Sequence, residues 1–332
     1  MDRRTLLASI ERPGAVLLDG WSDDGRWTIA LPDPVDVFSA TLGESSRIEA
    51  FLAGAGRPEE GASRSPAPFS GGWVGFLSYE LGAAWEGAPD RPEPAGEPAA
   101  LFFRHENGWA MSPRGELLPI GRPRPLETKE LPGTVTAEPD VLGDSLSGAA
   151  YAAAHEAIRE GIARGEFYQV NLTKRFTADV GGRVDARALF VGLAGAEPPP
   201  YAMLLRGTGF DVVSASPELF LRADFAARTV EMRPIKGTAP RGADASADRT
   251  AADALRASAK DRAENVMIVD LCRNDLGRVC ETGTVDVPEL CRVRSHRVHH
   301  LESVVSGRLR PDVSAADLLR AAFPPGSVTG AP

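Results

Sequence analysis

Short apolar runs separated by glycine, proline and aspartate dominate residues 1–112 of the chain. The runs VLL at residues 16–18, WTIAL at 27–31 and LFF at 101–103 have the length of β-strands. Apolar runs rich in β-branched and aromatic residues and bounded by turn-forming residues favour strands over helices. This part of the chain is therefore predicted to be rich in strands.

A stretch rich in proline, glycine, glutamate and arginine, residues 113–144, interrupts this pattern. Such a composition is typical of turns and linkers. We therefore predict an N-terminal region, residues 1–145, that includes a linker at about 113–144. It is followed by a C-terminal domain, residues 146–332.

After the predicted linker, longer helical patterns alternate with strands. Ser147 is a candidate N-cap for a helix in which alanine or isoleucine recurs every four residues, and Gly165 ends that pattern. A second long helix is predicted over residues 260–277. The run at residues 167–176 alternates as a strand with Gln169 and Asn171 on one face. That polar face either is solvated, the usual case, or lines a polar cavity.

The segment RPIKGTAPRG, residues 233–242, follows a predicted strand at residues 229–232. Pro234 ends the strand because it lacks a backbone donor, so Lys236 lies at a strand end. An amine there can act as a nucleophile if burial or neighbouring cations such as Arg233 and Arg241 lower its pKa. The alternative is a basic surface turn, which this segment alone favours.

Two further segments carry groups suited to proton transfer or anion binding. Glu218 follows Pro217 at a bend between apolar runs. A half-buried glutamate there has a raised pKa and can donate a proton, whereas the alternative is an exposed turn residue. His299 and His300 are adjacent in a predicted strand, so they point to opposite faces and cannot chelate one metal together. One of them can bind an anionic ligand, and the alternative is ordinary polar packing.

Asp261 and Glu264 lie three residues apart on one face of the second long helix. Carboxylates at this spacing can offer oxygen ligands to a hard cation such as Mg²⁺. The alternative is a solvated helix face on which Glu264 pairs with Lys260. The pattern leaves both interpretations open.

Composition limits the classes of partner. The 332 residues are 43% hydrophobic and carry 37 Lys and Arg against 46 Asp and Glu, a formal net charge of −9. This acidity argues against nucleic acid or an anionic membrane as a partner. The three cysteines lack metal-ligand spacing, and no apolar run is long enough to span a bilayer. We therefore expect a cytoplasmic protein with reduced thiols.

Taken together, several segments resemble the chorismate-utilising enzymes, and within them the aminodeoxychorismate synthase branch. The resembling segments are GEFYQVNLTKRF (165–176), SASPELFL (214–221), RPIKGTAPRG (233–242), KDRAENVMIVDLCRNDLGRV (260–279), VHHLES (298–303) and FPPGSVTGAP (323–332), with GGWVGFLSYELG (71–82) in the N-terminal region. The resemblance implies an α+β fold of large antiparallel β-sheets packed face to face with helices outside. Members of this family continue past the position of Pro332, so the fold is expected to be incomplete at the C-terminus. If 332 residues is the whole product, weak magnesium binding, impaired folding and little activity are expected.

The resemblance also implies roles for individual residues. Glu218 resembles the general acid that protonates the departing ring hydroxyl of chorismate, and Lys236 resembles a lysine that bonds covalently to the ring. Glu264 resembles a ligand of Mg²⁺, the implied cofactor, with Asp261 supporting it. The residues that the resemblance implies for substrate binding are Gln169, Gly237, Thr238, His300, Ser327 and Thr329, together with the backbone amides of residues 326–330.

Two positions indicate the branch of the family. Anthranilate synthases carry alanine where Lys236 stands, and isochorismate synthases carry lysine where Gln169 stands to activate water. The resemblance therefore implies that ammonia and chorismate form 4-amino-4-deoxychorismate on the way to 4-aminobenzoate and folate. No cysteine lies in a nucleophile elbow, so a separate glutamine amidotransferase subunit is expected to supply ammonia. The alternatives are anthranilate synthase component I and a non-catalytic module that binds chorismate.

Overall fold

The computed structural model describes residues 2–21, 26–55, 67–87, 98–127, 131, 140–180, 184–195 and 197–331. The helices are Arg3–Ala8 (α1), Ser45–Ala55 (α2), Glu80–Trp85 (α3), Gly148–Arg164 (α4), Ala186–Ala194 (α5), Ala245–Ala257 (α6), Ala259–Gly277 (α7), Ala315–Ala322 (α8) and Gly326–Thr329 (α9). The strands are Val16–Trp21 (β1), Trp27–Leu31 (β2), Asp36–Ala40 (β3), Gly72–Leu77 (β4), Ala100–His105 (β5), Gly108–Met111 (β6), Leu117–Ile120 (β7), Asp140–Asp144 (β8), Gln169–Val170 (β9), Phe176–Asp179 (β10), Ala202–Arg206 (β11), Asp211–Ala215 (β12), Leu219–Asp224 (β13), Thr229–Arg233 (β14), Ile235–Pro240 (β15), Asp286–Ser295 (β16), Val298–Arg308 (β17) and Gly330–Ala331 (β18).

Antiparallel sheets form the framework. A six-stranded sheet has the order β12-β11-β1-β2-β6-β7, and a three-stranded sheet has the order β3-β5-β4. A five-stranded sheet has the order β13-β14-β17-β15, with β16 also paired to β17. Two small sheets pair β10 with β8 and β18 with β9. The predicted α+β class with large antiparallel sheets is confirmed.

The six-stranded sheet is buried on both faces. Leu17 on β1 packs with Leu6 of α1 and Phe190 of α5, whereas Leu18 packs with Phe103 of the three-stranded sheet. Adjacent residues of a strand point to opposite faces, so a continuous apolar run suits a strand covered on both sides. The short apolar runs of the N-terminal region are therefore strands, as predicted.

The six-stranded sheet joins parts of the chain on either side of residue 145, because β1 pairs with β11. The predicted linker at 113–144 contains β7 and β8, and its residues 128–130 and 132–139 lie outside the described residues. The proposed division into two regions remains a prediction.

Helix α4 begins and ends at the predicted residues. The Ser147 hydroxyl accepts a hydrogen bond from the Ala150 amide at 3.2 Å, and Gly165 ends the helix with a left-handed φ of 75°. The predicted strand at residues 167–176 is shorter than expected, since only β9 and the first residue of β10 fall within it. Asn171 follows β9 directly, and its backbone amide donates a hydrogen bond to the Thr329 carbonyl near the C-terminal end of the chain.

The C-terminal core lies between the five-stranded sheet and helices α7 and α8. Val230, Met232 and Val305 of the sheet pack against Ile268 of α7 and Leu318 of α8. Cys272, Cys280 and Cys291 are free and buried. Within the described ranges, no helix is long and apolar enough to span a bilayer.

His105 makes stability sensitive to acid. It is fully buried on β5, and burial lowers the pKa of its imidazole to about 4. Between pH 6.5 and 4 the unfolded chain therefore binds a proton that the folded chain does not, so stability falls as the pH falls. We expect His105 to account for about 3 kcal/mol of stability lost across that window. Urea unfolding at stepped pH should show a smaller loss in His105→Leu, with the exposed His155→Gln variant retaining the original slope.

Candidate active site

A β-bulge places Lys236 at the edge of the five-stranded sheet. Ile235 pairs with Glu302 and Thr238 pairs with His300, so β15 has one more residue than β17 between these pairs. Gly237, within the bulge, has a φ of +93°. A bulge re-aims the side chain beside it, and a positive φ favours glycine. The prediction that the preceding strand stops before Pro234 is confirmed, since β14 ends at Arg233.

The amine of Lys236 is hydrogen-bonded to Ser327, near the C-terminal end of the chain, and to Asn171. Its Nζ donates to the Ser327 carbonyl at 2.9 Å and to Asn171 Oδ1 at 3.4 Å. Asn171 Nδ2 donates to the same Ser327 carbonyl at 3.1 Å. Lys236 is half-buried, so the basic surface turn that the local sequence favoured is wrong.

Glu218 lies beside this lysine. The Ile235 amide donates to Glu218 Oε1 at 3.3 Å. Burial raises the pKa of Glu218, and hydrogen bonds from the Ser327 hydroxyl and the Ile235 amide oppose the rise, as does the charge of Lys236. Burial has the larger effect, so the carboxyl keeps its proton to higher pH than an exposed glutamate does. The exposed-turn alternative for Glu218 is wrong.

Asn171 and Gln169 lie on the polar face that the sequence left open between solvent and cavity. Asn171 contacts Lys236, whereas Tyr168 on the opposite face is 73% exposed. The Oε1 of Gln169 is buried, and none of the residues described here donates a hydrogen bond to it. The polar face therefore points inward.

Thr238 and His300 form a separate pair across β15 and β17. The distance from Thr238 Oγ1 to His300 Nδ1 is 3.2 Å. Burial lowers the pKa of His300, so its imidazole is neutral at neutral pH. His299 points to the other face, as predicted, and its Nε2 lies 3.0 Å from Asp248.

The two carboxylates of α7 occupy different settings. Glu264 is half-buried, and its Oε1 lies 3.7 Å from the Nζ of Lys260. The Asp261 carboxylate accepts a hydrogen bond from the hydroxyl of Ser258, the N-cap of α7, and this hydroxyl accepts one from the Asp261 backbone amide. Among the described residues, no group of three or more acidic, histidine or cysteine side chains is placed to hold a metal ion. By itself Glu264 can offer Mg²⁺ only part of an octahedral oxygen shell, so its role as a metal ligand stays a prediction.

Backbone hydrogen bonds occupy part of the turn at residues 326–330, for which the sequence predicted anion binding. The amides of Val328 and Thr329 donate to the Pro325 carbonyl, and the Gly330 amide donates to the Gly326 carbonyl. These three amides are used within the turn, and the prediction that the amides of residues 326–330 bind carboxylate oxygens stays a prediction. Thr329 Oγ1 donates to the Pro325 carbonyl at 3.4 Å.

Sequence reasoning named Asn171 only as part of a polar strand face, and it missed Asn265 and Glu302 near Lys236. Asn171 contacts the amine, Asn265 contacts the Lys236 carbonyl, and the charge of Glu302 contributes to the raised pKa of Glu218, after burial. Asn265 follows Glu264 directly on the predicted helix. This position next to a candidate metal ligand is the sequence feature that could have identified Asn265 as a residue of the site. Glu302 shares a strand face with His300 at i, i+2 spacing.

We expect Gly237→Ala to damage the site and the fold together. A Cβ at this position would lie 2.9 Å from the Asp261 Cβ, and φ is +93°. Strain of this kind costs about 1–3 kcal/mol. Urea unfolding measures the loss, and Gly192→Ala, a helical position with open space, is the matched control that should be neutral or stabilising. Equal stability of Gly237→Ala and the parent would contradict the strain.

The family model and two similar curated proteins indicate the same family for this chain. The model for "chorismate binding enzyme" matches residues 21–332. Aminodeoxychorismate synthase of Streptomyces pristinaespiralis is 39% identical over 310 residues, which is 86% of this chain and 42% of that protein. Aminodeoxychorismate synthase component 1 of Klebsiella aerogenes is 40% identical over 276 residues, 80% of this chain and 60% of that protein. The chain thus spans less than two thirds of the length of these relatives.

Solved structures share the fold. Anthranilate synthase component I of Streptococcus pneumoniae TIGR4 superimposes with a TM-score of 0.75 at 26% identity, covering 94% of this chain and 75% of that chain. The Escherichia coli isochorismate synthase MenF has a TM-score of 0.70 at 17% identity, covering 100% of this chain and 73% of that chain, and supports the fold alone. The family match over nearly all of the sequence shows that this chain belongs to the chorismate binding enzymes.

Proposed function

We propose that the protein carrying this chain is an aminodeoxychorismate synthase, which converts chorismate and ammonia into 4-amino-4-deoxychorismate. The observation that carries the proposal is the meeting of Lys236 and Glu218 at Ser327. Lys236 donates a hydrogen bond to the Ser327 carbonyl at 2.9 Å, and the Glu218 carboxyl is hydrogen-bonded to the Ser327 hydroxyl. A nucleophile and an acid with a raised pKa at one residue suit displacement of a hydroxyl group.

In the proposed reaction the amine of Lys236, after giving up a proton to solvent, forms a C–N bond with the ring while the C–O bond of the ring hydroxyl breaks. Glu218 gives the proton that converts the departing hydroxide into water. Ammonia then forms a new C–N bond, the lysine amine leaves as the C–N bond to Lys236 breaks, and Glu218 takes a proton from the new ring ammonium group. Thr238 and the neutral His300 are proposed to orient the substrate, with Gly237 allowing its close approach.

The proposal includes Mg²⁺ with Glu264 as a ligand and Asp261 as a residue that braces the same helical turn. When bound, the ion would supply positive charge for a substrate carboxylate. Gln169, Ser327 and Thr329 complete the proposed substrate contacts. Gln169 supports ammonia over water as nucleophile, since it offers no amine to activate water.

A glutamine amidotransferase is the proposed source of ammonia. The name "component 1" of the Klebsiella aerogenes relative supports a second component. Anthranilate synthase component I is the second candidate, because that enzyme of Streptomyces coelicolor is 36% identical over 298 residues. Lys236 at the site favours the first candidate, because direct attack by ammonia needs no amine on the protein.

Incubation with chorismate and ammonium chloride tests the proposal. Chromatography should show 4-amino-4-deoxychorismate without release of pyruvate. Pyruvate together with a fluorescent aromatic amine would instead identify anthranilate synthase. Binding of chorismate in calorimetry without any turnover would indicate a non-catalytic module and contradict the proposal.

A further inference from the structure

We propose that Asn265 is a positioning residue that fixes Lys236 within its bulge. Asn265 is fully buried on α7, directly after Glu264. Its Nδ2 donates to the Leu301 carbonyl at 3.0 Å and to the Lys236 carbonyl at 3.4 Å. One side-chain amide therefore ties α7 to β17 and to the bulge of β15 at the same point.

The side-chain oxygen of Asn265 is also hydrogen-bonded. Asn265 Oδ1 accepts hydrogen bonds from the Ser303 hydroxyl at 2.5 Å and from the Cys291 thiol at 3.5 Å. The Ser303 hydroxyl in turn accepts from the Cys291 amide at 2.8 Å. Hydroxyl and thiol donors on one side and carbonyl acceptors on the other allow only one orientation of the amide. This connected, buried network of hydrogen bonds holds the side-chain amide of Asn265 against the Lys236 carbonyl.

The bulge is the place where such support matters. A β-bulge disrupts the ladder locally, so the backbone of Lys236 depends on contacts from outside the sheet. Helix α7 supplies them through Asn265, which donates to the Lys236 carbonyl, and through Asp261, against which Gly237 lies. The same helix carries Glu264, so Asn265 couples the position of the amine to that of the proposed metal ligand. The consequence of this coupling for catalysis rests on the proposed function. The effect of Asn265 on the position of Lys236 does not.

Competitive labelling of amines tests this inference without using activity. The full chain is treated with a limiting amount of acetic anhydride, and peptide mass spectrometry compares Lys236 with Lys260, whose side chain is 82% exposed. In Asn265→Ala the amine should leave its acceptors, Ser327 and Asn171. The ratio of labelling at Lys236 to that at Lys260 should then rise by about two- to tenfold, the range that one hydrogen bond contributes.

Two further variants keep the test decisive if Asn265→Ala folds poorly. Ser303→Ala retains the amide but removes the hydroxyl that orients it, and should raise the ratio in the same direction. Ile268→Val removes one methylene from the same helix and should leave the ratio unchanged. The inference fails if neither Asn265→Ala nor Ser303→Ala raises the ratio, or if the control raises it equally. Absence of turnover in the parent protein would refute the proposed function and leave the labelling result standing.

Discussion

Replacing Lys236 by alanine is expected to reduce ammonia-dependent formation of 4-amino-4-deoxychorismate by about 10³-fold or more in kcat, the scale on which loss of a nucleophile acts. The reason is that the proposed reaction runs through a bond between the Lys236 amine and the ring. Steady-state assays with saturating ammonium chloride measure the effect. Chorismate affinity should change less than kcat, because the amine acts mainly during bond formation.

Lys260→Ala is the matched control for this prediction. Lys260 is exposed on α7 and pairs with Glu264 at 3.7 Å, so its removal takes away a cation near the site without removing the proposed nucleophile. Its kcat should stay within a few-fold of the parent, since exposed ion pairs contribute little. An unchanged rate in Lys236→Ala would show that ammonia attacks the ring directly.

The second large effect is expected for Glu218→Gln, which should lower kcat by about 10²- to 10⁴-fold, the contribution of a positioned general acid. The amide fills the same space but cannot give a proton to the departing hydroxyl. Burial raises the pKa of Glu218, so its acid form persists to higher pH than that of an exposed glutamate. The rate should fall as the pH rises through this pKa.

The pH profile separates acid catalysis from simple damage to the site. In Glu218→Gln the remaining activity should no longer show the decline on the basic side that belongs to this carboxyl. Glu302→Gln should keep the decline but move it to lower pH, because a nearby negative charge that raises the pKa of Glu218 is removed. A profile of Glu218→Gln that matches the parent in shape would exclude Glu218 as the acid.

Local features of the fold were predictable from the sequence because local chemistry determines them. Ser147 and Gly165 mark the ends of α4, and Pro234 marks the break between β14 and β15. The resemblance in the C-terminal half also led to Lys236 and Glu218, which the structure brings together. A short apolar run such as β1 was recognisable as a strand from its length and its flanking residues.

Features that depend on distant pairing were not predictable. The bulge at Lys236 exists only relative to β17, whose register is set far along the chain. The same is true of β1 and β11, which join one sheet although about 180 residues separate them. Asn171 and Asn265 looked like ordinary polar residues, because an amide reveals its role only through the partners that the fold supplies.

The most direct test of the account is mass spectrometry of the protein mixed with chorismate in the absence of ammonia. A covalent bond between the ring and the amine, with loss of one water, should leave the Lys236 peptide heavier by the mass of chorismate minus water. Addition of ammonium chloride should remove this modification and release 4-amino-4-deoxychorismate. An unmodified Lys236 peptide under conditions in which ammonium chloride does give product would contradict the account.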